Sequence, residues 1–401
     1  MGDGMGQGSE TAIIRKMGIK DVLKSPDFYE MICVVQLGLG SMLMFTGFDT
    51  HSFIVESVLH SVNERDPARI GPYAGYYGQA VDYVFYTIAN LFAPLLIRYA
   101  NAKWSLFAGS LCFTIYQIGF LYLNNYYYYV SSALMGIGFA VFYAGHGCYL
   151  VEHSTKKNIE RNFSVVWAIG CLCMTVGGLI LLVIFESEGD KAGSSRTRNF
   201  SDEKIRLIFG AFSLLSFLSN VTFLLLQKRK PENALEDPNV NERKKGFWGM
   251  TTFQTFTSPK LWLLSFSWIH LGLSTCFWLG PYPTTFIFSD SLSKFKSLIP
   301  FYACSLGFGE VLCGLLISHA AKKMDNFGRL PTVAIAFVTH CIAFVLILLS
   351  TPRYSSLRPN NDGALVIEPR RNDEDEDLEA PKPEIYLYDG RTGESRTSYR
   401  P

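Results

Sequence analysis

Long apolar runs, separated by short polar turns, dominate the chain as far as Ser350. Nine of them approach 20 mostly apolar residues, the length a helix needs to cross a hydrocarbon core about 30 Å thick. They cover residues 31–53, 73–97, 104–123, 127–151, 163–185, 205–226, 261–288, 298–320 and 330–350. None shows the sustained alternation of a membrane barrel. A helix satisfies every backbone amide within its own segment, so the pattern predicts nine transmembrane helices in an all-α membrane protein. The first run is too long, and starts too late, for a cleaved signal peptide; it reads as a signal anchor.

Polar segments divide the chain. Residues 1–28 form an N-terminal segment, residues 29–227 carry six spans, and residues 261–350 carry three more. Between the two groups, residues 228–260 are rich in Lys, Arg, Pro, Asn and Glu and read as a linker. After the ninth span, residues 351–401 are polar and include the run Asp373-Glu374-Asp375-Glu376-Asp377; this tail is expected to be disordered.

Composition agrees. Of 401 residues, 49% are hydrophobic and 18% charged, against roughly 25% charged in soluble domains. A net charge of +1 gives no reason to invoke nucleic acid. The distribution of charge says more. With the N-terminus in the cytoplasm, the inside segments up to the last span hold 19 Lys and Arg and the outside loops 8, as the positive-inside rule expects of that orientation. The sequon Asn199-Phe200-Ser201 then faces outward as a glycosylation site, and Asn162-Phe163-Ser164 faces the cytoplasm and stays bare. All nine cysteines fall within the spans and read as small packing residues. Cys171 and Cys173, two apart on a helix, diverge rather than form a metal clip.

Two short basic turns occupy equivalent places in the two groups of spans. One contains Arg98 and Lys103; the other contains Lys322, Lys323, Asp325, Gly328 and Arg329. Six-span parallel repeats with such turns are the plan of the major facilitator fold. The turn Asp325-Asn326-Phe327-Gly328-Arg329 resembles that superfamily's D-x-x-G-R loop. Further patches are Gly71-Pro72-Tyr73-Ala74-Gly75-Tyr76-Tyr77, Gly136-Ile137-Gly138-Phe139-Ala140, Gly147-Cys148-Tyr149-Leu150, Gly272-Leu273-Ser274 and Gly307-Phe308-Gly309-Glu310-Val311-Leu312. In order and spacing they resemble the uncoordinated-ninety-three (UNC) family, in its branch of major facilitator superfamily domain-containing protein eleven. The resemblance spans roughly residues 28–368. It implies a twelve-span bundle, of which this chain shows nine, lacking the last three. It also implies two described roles: accessory subunits of potassium channels and escorts of membrane receptors.

Ionisable groups in a bilayer cost roughly 2.5–3.5 kcal/mol each and need a reason. Glu310, mid-span with Gly307 and Gly314 on its face, is expected to point into the bundle as a proton or cation site, or as a protonated carboxyl bonded to a neighbouring helix. Asp82 shares a face with Gly78 and Tyr86 and reads either as a cavity carboxylate or as an interfacial one. Asp49 and His51, at the outer end of the first span, are expected to form a solvated pair. His146 bridges helices, titrates or packs; His270 and His340 read as packing residues. Gly136, Ala140 and Ala144 form a close-packing stripe, and Tyr126 to Tyr129 an aromatic belt at the outer surface. H-E-x-x-H, G-x-S-x-G and P-loop motifs do not occur, so no enzyme, metal or cofactor is expected. The partners expected are the lipid bilayer and either another membrane protein, for an accessory or escort, or a small solute or proton, for a secondary carrier.

Overall fold

The apolar runs become helices whose ends follow from local chemistry. In the computed structural model, the residues described are 26–186, 200–228, 257–293, 295, 297–323, 329–352, 354–359, 364, 387–388 and 395–396. The helices are α1 (Pro26–Ser52), α2 (Val55–Arg65), α3 (Ala74–Asn90), α4 (Ala93–Ile118), α5 (Asn125–Glu152), α6 (Ile159–Glu186), α7 (Asp202–Leu224), α8 (Pro259–Leu279), α9 (Pro281–Phe288), α10 (Asp290–Ser293), α11 (Leu298–Lys323) and α12 (Arg329–Ser350). Asn124 caps α5 by accepting from the backbone N–H groups of Tyr126 and Tyr127, and Ser201 caps α7 through the N–H of Lys204. Pro259 opens α8, where its missing N–H costs no hydrogen bond.

Among the described residues, eight helical stretches are long and apolar enough to cross a membrane. The remaining run, residues 73–97, is divided. α3 has 17 residues, two turn residues follow, and Ala93 then starts α4 with Pro94 in its first turn. A kink falls at Asn101, whose φ of 58° and ψ of 156° break the helical path inside α4; asparagine tolerates positive φ better than most residues. The seventh run is likewise divided, at Gly280-Pro281, into α8 and α9. α2 is an addition that the apolar pattern did not indicate.

α1 packs against α6 and α7, α4 against α5 and α7, and α3 against α5, which makes the six-span half one bundle. Its core is aromatic: Phe48 lies edge-on to Phe113 and Phe139, and Phe120 stacks on Phe209 at 4.4 Å. α11 docks on α6 through glycine. A Cβ on Gly307 would sit 2.4 Å from Thr175 Oγ1, and one on Gly178 would sit 2.7 Å from Cys304 Sγ. Backbones approach closely in lipid where such small residues meet. α8 and α12 meet through Phe277, Trp278 and Phe344. Val333, Ile335 and Phe337 of α12 stay exposed, as suits lipid contact.

The tail is not uniformly without structure. Pro352 and Ser355 are buried, and Tyr76 Oη donates to the carbonyl of Ser356. β1 (Leu387–Tyr388) pairs antiparallel with β2 (Ser395–Arg396). The aromatic belt is also corrected in one place. Tyr126 is exposed, but Tyr128 is only 2% exposed and belongs to the core.

Candidate intramembrane polar site

Where α1, α6 and α11 meet, two carboxylates and two thiols lie together. Cys173 Sγ donates to Asp49 Oδ2 at 3.4 Å. Glu310 lies against the Cys171 thiol and within electrostatic reach of Asp49. Gly307 does face α6, as expected, whereas Gly314 faces open space. Glu310 itself is exposed at the rim of the α6–α11 contact rather than enclosed. Its neighbour Cys171 thus faces a carboxyl as well as packing, and all nine cysteines are free thiols.

A row of phenols joins this cluster to Asp82. Tyr143 of α5 lies within electrostatic reach of Asp49, and Tyr83 of α3 within reach of both Asp49 and Asp82. The rings of Tyr86 and Tyr143 are 6.4 Å apart. The spacing of Gln79, Asp82, Tyr83 and Tyr86 along one helical face was the available signal for this lining. Asp82 is only 2% exposed, and its Oδ1 has no hydrogen-bond partner among the described residues. His146 stands apart, one turn beyond Tyr143 and against Phe142.

The expected Asp49–His51 pair is overturned. His51 is only 1% exposed, enclosed by Tyr116, Phe120 and Phe209. Its Nδ1 lies 3.1 Å from Gln117 Oε1 and its Nε2 3.4 Å from Tyr116 Oη. Gln117 Oε1 can only accept, so Nδ1 carries the proton and Nε2 receives the Tyr116 hydroxyl. Residues two apart on a helix point in nearly opposite directions. Asp49 therefore faces α6 while His51 faces α4 and α7. Sequence depth gave their level in the bundle but not their bearing.

Two further buried carboxylates escaped the sequence reading. Glu30 accepts from Asn162 Nδ2, Asn158 Nδ2 and the backbone N–H of Thr155, which ties the start of α1 to the α5–α6 turn. Glu56 sits at the N-terminus of α3, where its Oε2 accepts from the N–H of Tyr76. A Cβ on Gly75 would lie 2.6 Å from that oxygen, so only glycine admits the carboxylate here. Positive helix-end amides favour an anion at this place. Burial dominates nevertheless and pushes the Glu56 carboxyl up to about 7, against the amides of Tyr76 and Gly75.

All ion pairs among the described residues lie at the α2 end. Asp202 binds Arg65 at 2.7 Å and Arg69 at 2.8 Å, and His60 pairs with Glu64. Asp49, Asp82 and Glu310 thus have no cationic side chain as partner among those residues. Of the basic turns, Lys103 donates from Nζ to the carbonyl of Leu226 at 2.8 Å, holding the end of α7. Lys323 ends α11, exposed. Asp325, Gly328 and Asn199 lie outside the described residues, as do the side chains of Arg98, Lys322 and Arg329.

A family model described as "Ion channel regulatory protein UNC-93" matches residues 66–372, well over half of the sequence. The chain belongs to the UNC-93 family. Within it, the chain is 28% identical to the "UNC93-like protein MFSD11" of Xenopus laevis, over 86% of its own length and 79% of the relative's. The protein of that name from Xenopus tropicalis is also 28% identical, over 82% and 74%. "Protein unc-93 homolog A" of Bos taurus is 21% identical, over 81% and 74%. This UNC-93 protein is therefore a multi-pass helical membrane protein, and the expected fold and family hold.

Proposed function

We propose that this UNC-93 protein is a non-enzymatic accessory of another membrane protein, acting as an ion-channel regulator or as a trafficking escort. The observation that carries the reading is the match over residues 66–372 to a family described as ion channel regulatory. The sequence also holds no H-E-x-x-H, G-x-S-x-G or P-loop motif. The excess of Lys and Arg in alternate loops supports a cytoplasmic N-terminus. The Glu30–Asn162 end then faces the cytoplasm, and the Arg65–Asp202 end faces outward. Purification of the full chain in mild detergent tests the proposal. It requires a channel or receptor at fixed stoichiometry; a chain that purifies alone from its native membrane refutes it.

A second reading, secondary transport of a small solute coupled to a proton or cation, is favoured by one feature. Asp49 and Glu310 lie in membrane spans and Asp82 in the buried helix α3, none with a cationic partner among the described residues, and such carboxylates serve ion pathways. Glu310→Gln and Glu310→Ala separate the readings. A carrier with Gln at this position folds and loses coupled flux. An accessory protein tolerates Gln, and Ala lowers its partner recovery.

A further inference from the structure

The α3 residues Gly75, Gly78 and Asp82 occupy positions i, i+3 and i+7, one face of the helix. Each position meets an oxygen. Gly75 meets Glu56 Oε2, and Gly78 meets the hydroxyl of Tyr128, which would lie 2.0 Å from a Cβ there. The third position carries the Asp82 carboxyl itself. Glu56, Tyr128 and Asp82 are each 2% exposed. Glu56 Oε1 and Asp82 Oδ1 have no hydrogen-bond partner among the described residues, nor does Ser57 Oγ beside Glu56, while the Tyr128 hydroxyl lies against that of Tyr116, itself within electrostatic reach of Asp82. Native structures pair such atoms or hydrate them. Here they are spread over seven residues of helix, about 10 Å at 1.5 Å per residue. Neighbours three or four apart on a helix face are about 5–6 Å apart, which sets the spacing of the positions that meet these oxygens.

We propose that this face is a buried proton path, with Glu56 and Asp82 as its two proton-holding carboxyls and Tyr128 as the hydroxyl between them. Protonated Glu56 gives its proton toward Tyr128, directly or through one water. Tyr128 passes its own proton toward the Asp82 carboxylate, and no electrons move. One proton leaves Glu56 and one arrives at Asp82. Glu56 also lies at the end of the bundle that carries the Arg65–Asp202 pair, where a proton enters from water.

The surroundings suit the role. Around Glu56 stand His60 one turn along α2, Tyr76 of α3, and Tyr128 and Tyr129 of α5. Around Asp82 stand Tyr83 and Tyr86 of α3, Tyr116 of α4 and Cys276 of α8. Neither carboxylate meets Lys or Arg in an ion pair among the described residues. A proton is then the ligand that neutralises each of them in apolar surroundings. The path deepens the transport reading, on which it rests for its use, by naming the proton as the coupled ion.

Infrared difference spectroscopy of the full chain in liposomes, with a pH jump, tests the path independently of transport. Carboxylic-acid C=O bands should appear on acidification. Asp82→Asn should remove one band and Glu56→Gln another, and Tyr128→Phe should slow protonation of Asp82 at least tenfold. The same liposomes, loaded with a pH dye, report proton flux. Bands with these assignments but no flux support the path and refute the carrier. Flux without these bands refutes the path and leaves the carrier standing. Tyr128→Phe removes one oxygen only, so it tests the path even where a carboxyl variant fails to fold. An unchanged protonation rate in that variant overturns the proposal.

Discussion

Asn162, the acceptor of a glycosylation sequon, donates its side-chain amide to the Glu30 carboxylate on another helix, and to Ser154 Oγ at 3.0 Å. Both Asn162 and Glu30 are buried. The amide nitrogen that would carry a glycan is thus enclosed and already bonded. Asn162→Ala should leave gel mobility unchanged and lower the melting temperature in detergent, since a buried charged acceptor loses a donor at a cost of about 1–3 kcal/mol. A glycan-dependent mobility shift at Asn162 would overturn the arrangement. Asn199→Gln, by contrast, should abolish any glycan-dependent shift if the outward orientation holds.

Glu56 makes stability depend on pH. Its folded value of about 7 stands above the ordinary carboxylate value of 4.5. Between those pH values the folded protein holds more protons than the unfolded chain, so stability falls as pH rises through the window and levels off above it. The shift corresponds to about 3 kcal/mol at 1.36 kcal/mol per unit. Glu56→Gln cannot ionise and should flatten the melting temperature between pH 5 and pH 8. A parent curve that rises over this range would contradict the burial of Glu56.

Glycine contacts predict opposite outcomes for one substitution. A Cβ on Gly136 would lie 2.1 Å from the carbonyl of Asp82, whereas one on Gly170 meets nothing within 4 Å. Gly136→Ala should force α3 and α5 apart and cost about 1–3 kcal/mol, the usual range for overpacking. Gly170→Ala should be neutral or slightly stabilising through helix propensity. Thermal unfolding in detergent compares the two, and equal melting temperatures would refute the close α3–α5 crossing.

Lys103 bonds the carbonyl of Leu226, just beyond the end of α7. Lys103→Met keeps the side chain's length and removes its charge. It should lower stability by about 0.3–1 kcal/mol, the usual size of a cation's effect at a helix C-terminus. Arg329→Glu should reduce surface expression more than Arg391→Glu in the acidic tail, because basic residues in short turns resist translocation. Equal effects, read by surface labelling, would remove the topological role of that turn.

The sequence by itself determined eight of the nine expected spans, the helical class and the family. Hydropathy sums over about 20 neighbouring residues, so it needs no tertiary information. It also placed Asp49, Asp82, His51 and Glu310 within or at the ends of spans. The break at Asn101 and the helix α2 fell between apolar runs, and the break at Gly280-Pro281 fell inside one whose summed hydropathy hid it. Only the tertiary structure decided the partners. Asp49 meets Cys173, 124 residues away, while His51, two positions on, meets Gln117 and Tyr116. Glu30 and Glu56 lie at helix ends, where a charge passes for a solvated one until another element covers it. A buried polar group takes whichever donor the packed bundle brings within about 3 Å. That choice depends on the rotation and crossing of whole helices, which the order of residues along one helix does not contain.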